Sequence, residues 1–95
     1  MLDSPFAREA HDGRVTLGDA TLTCEDGPAW LARLPHGGGY VAGYTGSTPT
    51  TLVLTAPEGR VEVQKLGPGV VVWRPDVPGA SGVAIDGAHG TVVRE

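Results

Sequence analysis

The sequence has few of the residues that most directly reveal a function. It holds a single cysteine, Cys24, which excludes an intramolecular disulfide, and no asparagine, which excludes an N-glycosylation sequon. No apolar run approaches the length that a membrane-spanning helix needs. These absences argue against a disulfide-stabilised secreted domain and against a helical membrane protein.

Basic residues are also scarce. The chain has 7 Lys and Arg against 11 Asp and Glu, a net charge of −4, and the basic residues are spread singly. Nucleic acids and anionic membranes select basic patches, so we expect neither as a partner. The opening MLDSPFAREA lacks the basic and apolar regions of a signal peptide, which predicts a cytoplasmic protein. A component of a particle or of a delivered assembly would look the same.

Glycine and proline, by contrast, are plentiful, with 15 and 8 residues that separate short β-prone runs. Turn markers such as Asp12-Gly13, Gly18-Asp19 and Asp86-Gly87 recur at intervals typical of a β-sandwich or small barrel. The sequence therefore predicts one all-β domain over residues 1–95, with about seven to nine short antiparallel strands in hairpin or meander connections. Within SPFAREA, a short helical or irregular segment over residues 4–11 is the exception.

The segment TTLVLTAPEGRVEVQKLGPGVVVW allows its register to be tested. Pairing Thr55 with Arg60, and Leu66 with Val70, predicts a three-stranded meander. Lys65 lies beside the second turn of this meander, where its amine is expected to reach water. The pairing leaves Val70 and Val72 outward, where a second layer or a partner must cover them. One face then carries six apolar residues, which are Leu52, Leu54, Val61, Val63, Val71 and Trp73.

Two further hairpins are predicted. RVTLGDATLTC gives two strands joined near Gly18-Asp19, with Leu22 and Cys24 on one face. GVAIDGAHGTVVR gives a second hairpin, whose register the sequence leaves open.

The stretch LPHGGGYVAGY suggests three kinds of chemistry, and none fits. An HGGG oxyanion loop needs a G-x-S-x-G elbow, which is missing. The dinucleotide pattern Gly37-x-Gly39-x-x-Ala42 needs a helix, which YVAGYTGSTP cannot form. The candidate metal ligands lack the short spacing of a metal site and meet only if the fold brings them together. These ligands are His11, His36, His89 and Cys24. We therefore expect no catalytic residue, cofactor or metal.

The remaining interpretation of this stretch is a hairpin. Pairing Leu34 with Tyr40 places Trp30, Tyr40 and Tyr44 on one face, with Arg33 on the other. Such an aromatic face is either a layer of the core or a surface on which a ligand stacks. The candidate partner- or ligand-binding residues are Trp30, Arg33, His36, Gly37, Gly38, Gly39, Tyr40 and Tyr44.

Three functions from different classes remain, and the third, an enzyme of unfamiliar type, requires His36 or His89 to meet a carboxylate or Cys24 in space. The leading hypothesis is a non-catalytic β-module that binds another protein or itself, as an accessory, immunity-type, regulatory or phage or particle component. The alternative is a β-barrel or sandwich that binds a small molecule or carbohydrate on the aromatic face. Arg33→Ala and His36→Ala are expected to weaken partner binding with little change in melting temperature.

Overall fold

The protein is a two-layered antiparallel β-sandwich. The structure, a computed structural model, describes residues 7–10, 13–25, 28–35, 38–77 and 79–95. Its shortest dimension is 17 Å, which accommodates two sheets packed about 10 Å apart. The strands are β1 (Ala7–Ala10), β2 (Arg14–Leu17), β3 (Ala20–Cys24), β4 (Ala29–Arg33), β5 (Tyr40–Tyr44), β6 (Thr50–Ala56), β7 (Gly59–Lys65), β8 (Gly69–Trp73), β9 (Val83–Ile85) and β10 (His89–Arg94).

The predicted all-β sandwich is confirmed. The first sheet has the strand order β1-β4-β5-β8-β9 and the second has the order β10-β7-β6-β3-β2. A short 3₁₀ helix, Gly79–Gly82, precedes β9. Residues 7–10, within the segment expected to be helical or irregular, instead form β1 and pair with β4. The rest of that segment lies outside the described residues, as do Asp12, Asp26 and Gly27 of the predicted turns.

Two of the predicted hairpins are formed, and Thr55 pairs with Arg60 in the predicted register. Leu17 pairs with Ala20 in the hairpin β2–β3, and Leu54 pairs with Val61 in β6–β7. In both hairpins the apolar residues alternate inward, as the period of a strand requires. Leu22 and Cys24 are fully buried on one side of β3.

The other half of the predicted meander is wrong. β8 does not pair with β7, because the chain crosses at Gly67-Pro68-Gly69 into the first sheet, where β8 pairs with β5 and β9. The predicted C-terminal hairpin is wrong for the same reason. There, β9 lies in the first sheet and β10 pairs with β7 in the second.

The residues assigned to the inner face of the meander are nevertheless all buried. They face one another across the sandwich instead of lying on one sheet, and Trp73 is 0% exposed at the end of β8. Its ring lies 5.5 Å from that of Tyr40, the neighbour on β5. The indole Nε1 has no hydrogen-bond partner among the described residues, so Trp73 serves the core through its volume.

Lys65 departs from its prediction. The side chain is 0% exposed, so its amine does not reach water. Nζ instead donates a hydrogen bond to the carbonyl oxygen of Asp86 at 2.6 Å, which ties the end of β7 to the chain that leaves β9. Burial of an ammonium requires such a partner, since an unpaired buried charge is costly.

Among the described residues, no helix has the length and hydropathy needed to cross a bilayer.

The burial of Trp73 predicts a large loss of stability on truncation. Trp73→Ala should lower the free energy of unfolding by about 3–5 kcal/mol, as for other aromatic residues removed from cores. Trp30→Ala is the matched control, because Trp30 is only half-buried on the outside of the sandwich and should cost less. Urea unfolding followed by circular dichroism measures both variants. An equal loss in the two would contradict the assignment of Trp73 to the core.

Candidate functional site

The β4–β5 hairpin, which holds the predicted site, is formed with a register one residue away from the expected one. Arg33, and not Leu34, pairs with Tyr40, and Trp30 pairs with Gly43. A shift of one residue places the side chains of one strand on the opposite face relative to those of its partner. Tyr40 and Tyr44 therefore lie in the core at 5% and 2% exposure, while Trp30 lies on the outer face. The predicted face carrying all three rings does not exist, which removes the geometric basis of the ligand-binding alternative.

Tyr40 is the centre of a polar cluster at the end of the sandwich. Its hydroxyl donates to Oε1 of Glu58 at 3.0 Å, and the guanidinium carbon of Arg33 lies 5.8 Å from its ring centre. Burial, the hydrogen bond to Glu58 and the charges of Glu58 and Asp19 raise the pKa of Tyr40 above its ordinary value, although Arg33 opposes this shift. The phenol is thus held neutral, as a donor that joins β5 to the β6–β7 turn.

Arg33 is exposed, but its guanidinium also makes a structural contact. Nη2 donates to the carbonyl oxygen of Leu17 at 3.3 Å, which connects β4 of the first sheet with β2 of the second. Removing this side chain therefore affects the joining of the sheets as well as any binding surface. The expectation that Arg33→Ala leaves the melting temperature nearly unchanged does not fit this contact.

Gly38 and Gly39 serve the backbone conformation of the hairpin itself. Gly39 has a φ of 123°, and a Cβ there would collide with the carbonyl oxygen of Trp73. The amide of Gly38 donates to the carbonyl of Pro35 at 3.1 Å, which closes the loop locally. His36 and Gly37 lie outside the described residues.

Tyr44, the last of the predicted site residues, is engaged within the protein. Its hydroxyl donates to the carbonyl oxygen of Thr48 at 2.6 Å and lies 3.1 Å from the Thr48 hydroxyl oxygen. Its ring also covers Gly46, where a Cβ would clash with it. Tyr44 therefore stabilises the loop that leads from β5 to β6.

The candidate metal ligands do not gather in the part of the chain that the structure describes. Cys24 is fully buried, and its Sγ lies 3.8 Å from the hydroxyl oxygen of Thr50, so it is a small residue of the core. His89 is exposed on β10, with Nδ1 3.2 Å from the carbonyl oxygen of Gly90. His11 lies outside the described residues, and among the described ones no group of three or more His, Cys, Asp or Glu side chains is placed to hold a metal.

The feature that the hairpin prediction missed is an apolar outer face on the first sheet. Its residues form two rows across neighbouring strands, and each row runs from β4 through β5 to β8, with the second row reaching β9. The residues that β4, β5, β8 and β9 contribute to these rows are all apolar, and the first row continues on β1 at Glu9, which pairs with Trp30. We call this surface the outer apolar face, and its residues are Trp30, Gly43 and Val70 in one row and Ala32, Val41, Val72 and Ala84 in the other.

Trp30 is fixed on this face by Gly43. The indole lies directly over the glycine of the adjacent strand, where any Cβ would overlap the ring. Aromatic residues that cover a glycine on a neighbouring strand stabilise the sheet, and here the tryptophan is half-buried. The sequence did contain the signal for this face, because VVVW is apolar at every position and left Val70 and Val72 without a covering layer.

The outer face of the second sheet is different in composition. Its rows contain a run of threonines on three adjacent strands, in which Thr21 pairs with both Thr16 and Thr55. The neighbouring row places Val53 between Thr23 and the charged Glu62. One outside surface of the sandwich is therefore apolar and the other is polar.

The environment of Tyr40 predicts a measurable titration. Because its pKa is raised in the folded state, the phenol adds stability that is complete below pH 10.0 and is lost as the pH rises through the folded-state pKa. Glu58→Gln removes a negative charge beside the phenol and should lower the pKa of Tyr40 relative to the wild type. Ultraviolet absorbance of tyrosinate measures this pKa, with Tyr40→Phe to assign the signal. An unchanged titration in Glu58→Gln would contradict the contact.

The conformation of Gly39 predicts a difference between two glycines. Gly39→Ala should lower the free energy of unfolding by at least about 1–3 kcal/mol, since an L-residue is strained at this φ and its Cβ meets the backbone of Trp73. Gly67→Ala is the control, because a Cβ at Gly67 meets no atom within 4 Å, and should change stability little. Chemical denaturation tests both variants, and a Gly39→Ala protein as stable as the control would show that the close approach is wrong.

Comparison with known proteins adds nothing to this geometry. No family model, curated protein or solved structure matches the chain. The function must therefore be argued from the surfaces of the sandwich itself.

Proposed function

We propose that this protein is a non-catalytic β-module that binds another protein through the outer apolar face. The observation that supports this proposal is the contrast between the two outer surfaces, one apolar and one rich in threonine. Water contact with an apolar sheet face is unfavourable, and a contiguous patch of this kind in a small protein is typical of an interaction site.

The size and border of the face suit the centre of a protein interface. Four strands spaced about 4.8 Å apart give a patch on the order of 300 Å², which is smaller than a whole interface. Exposed charged residues adjoin it, with Arg74 following β8 and Asp86 following β9. An apolar centre with a polar rim is the usual arrangement of an interface, and tryptophan is enriched among the residues that contribute most to binding.

The polar cluster at Tyr40 supports a binding role less well. Arg33, Tyr40 and Glu58 each contact another part of the same chain, and these contacts join the two sheets. A partner that recognised this cluster would have to replace contacts that hold the fold together. A partner that binds the outer apolar face would leave these contacts intact.

This proposal fits a protein that works in a reducing compartment such as the cytoplasm. Its single thiol, Cys24, is buried in the core and is available neither for a disulfide nor for surface chemistry. Membership of a particle or of a delivered assembly is equally compatible with binding through one sheet face.

Two matched substitutions test the proposal. Val72→Lys places a charge in the middle of the outer apolar face, whereas Val53→Lys places the same charge on a half-buried valine of the opposite outer face. A protein that co-purifies with the tagged wild type should be retained by Val53→Lys and lost with Val72→Lys. The affinity, measured by calorimetry with the purified partner, should fall by at least about tenfold for Val72→Lys.

Thermal unfolding of both variants controls for damage to the fold. If both lysines lower the melting temperature alike and only Val72→Lys loses the partner, binding resides on the outer apolar face. Equal binding by the two variants, or equal loss, would contradict the proposal.

A further inference from the structure

The second sheet ends in a strand with one free edge. Among the described strands, β10 pairs with β7 alone, and Glu95 exchanges both backbone hydrogen bonds with Arg60, at 2.8 and 3.2 Å. In an antiparallel pair the backbone groups of successive residues point alternately to the two sides. Counting back from Glu95, Val93 points toward β7, and the amide and carbonyl of Val92 point toward the free edge.

This edge also carries exposed apolar side chains. Val92 is 38% exposed and Val93 is 42% exposed, and with Leu66 they are the large hydrophobic residues that are exposed among those described. Val92 pairs with the buried Val63 and so lies on the core side, whereas Val93 pairs with Glu62 on the outer side. Both sides of β10 thus offer apolar surface beside unpaired backbone.

Two of the other described sheet edges, β9 and β2, are better protected. β9 is three residues long and is followed by the exposed Asp86, and β2 places Arg14 outward at its start. Short strands and charged residues prevent one sheet from pairing with another. β10 is six residues long, and its run Thr91–Val93 contains neither a charge nor a proline.

We propose that the partner of this edge is a second copy of the chain. The β10 strands of two copies pair antiparallel about a two-fold axis at Val92 and join two five-stranded sheets into one. This association is distinct from the proposed function, because it uses the edge of the second sheet and leaves the outer apolar face of the first sheet open.

The sequence of β10 is complementary to itself in this register. Val92 lies opposite Val92 of the second copy in a hydrogen-bonded pair, and Thr91 lies opposite Val93. β-Branched residues therefore meet along the contact between the two β10 strands, which we call the seam.

The irregularity between His89 and Val92 limits the length of the seam. The pairing with β7 shifts there, so the regular part of the edge begins after Gly90. A seam this short buries far less than the roughly 1,600 Å² of a standard stable complex. The dimer is therefore weak and forms as the concentration rises through the range of about 10 μM to 1 mM.

Proline at Val92 tests the edge directly. Val92→Pro removes an amide hydrogen that points away from β7, so the pairing within the sheet keeps its bonds while the seam loses two. Val92→Thr is the matched control, because it keeps the amide and a β-branched shape. Sedimentation equilibrium should show a concentration-dependent dimer for the wild type and Val92→Thr and a monomer for Val92→Pro.

Two further measurements separate this dimer from other outcomes. In the wild type, exchange of the Val92 amide with solvent should slow as the concentration rises, which reports pairing at this edge whether or not Val92→Pro folds. Val72→Lys should leave the dimer intact, and its loss in that variant would mean that the copies meet through the outer apolar face instead. A wild type that stays monomeric throughout, or a folded Val92→Pro protein that still dimerises, overturns the proposal.

Discussion

The structure depends on the chain crossing between the two sheets after nearly every hairpin. β2–β3 lies in the second sheet, β4–β5 in the first, β6–β7 in the second and β8–β9 in the first, with β1 and β10 as single strands at the two ends. Each sheet is therefore assembled from hairpins distant in sequence, and neither can form its core side without the other. In so short a chain this interleaving concentrates the apolar residues in one layer between the sheets, and the outer faces are left to the sequence of each strand.

Basic residues connect the sheets where the apolar layer ends. Lys65 donates to the carbonyl of Asp86, Arg94 to those of Pro75 and Val77, and Arg33 to that of Leu17, each from one sheet to the other or to a connection that follows it. Carbonyl groups at strand ends lack partners in their own ladder, and a cation is a strong donor to them. Three of the 7 basic residues thus make contacts that join the two sheets.

Alternation along a strand predicted burial well, and turn residues predicted pairing less well. Leu54 and Val61 pair as expected because a two-residue turn leaves one choice of register. Gly67-Pro68-Gly69 and Asp86-Gly87 have the same residue types, yet there the chain crosses to the other sheet. Glycine and proline show that a chain reverses, but the side of the sandwich on which it continues depends on which sheet offers a free edge, and this is a long-range property.

The register of the β4–β5 hairpin shows how a shift of one residue changes which side chains share a surface. With Leu34 opposite Tyr40, three aromatic rings would have shared a surface, but with Arg33 opposite Tyr40 two of them enter the core and Trp30 remains outside over Gly43. The glycines of LPHGGG are compatible with more than one turn, so the sequence does not select the register, which is instead set by packing, because Tyr40 contacts Trp73. Because successive side chains alternate between the two faces, placing Tyr40 and Trp73 in the core turns the next pair, Val41 and Val72, outward. The packing of the aromatic residues therefore produces the outer apolar face.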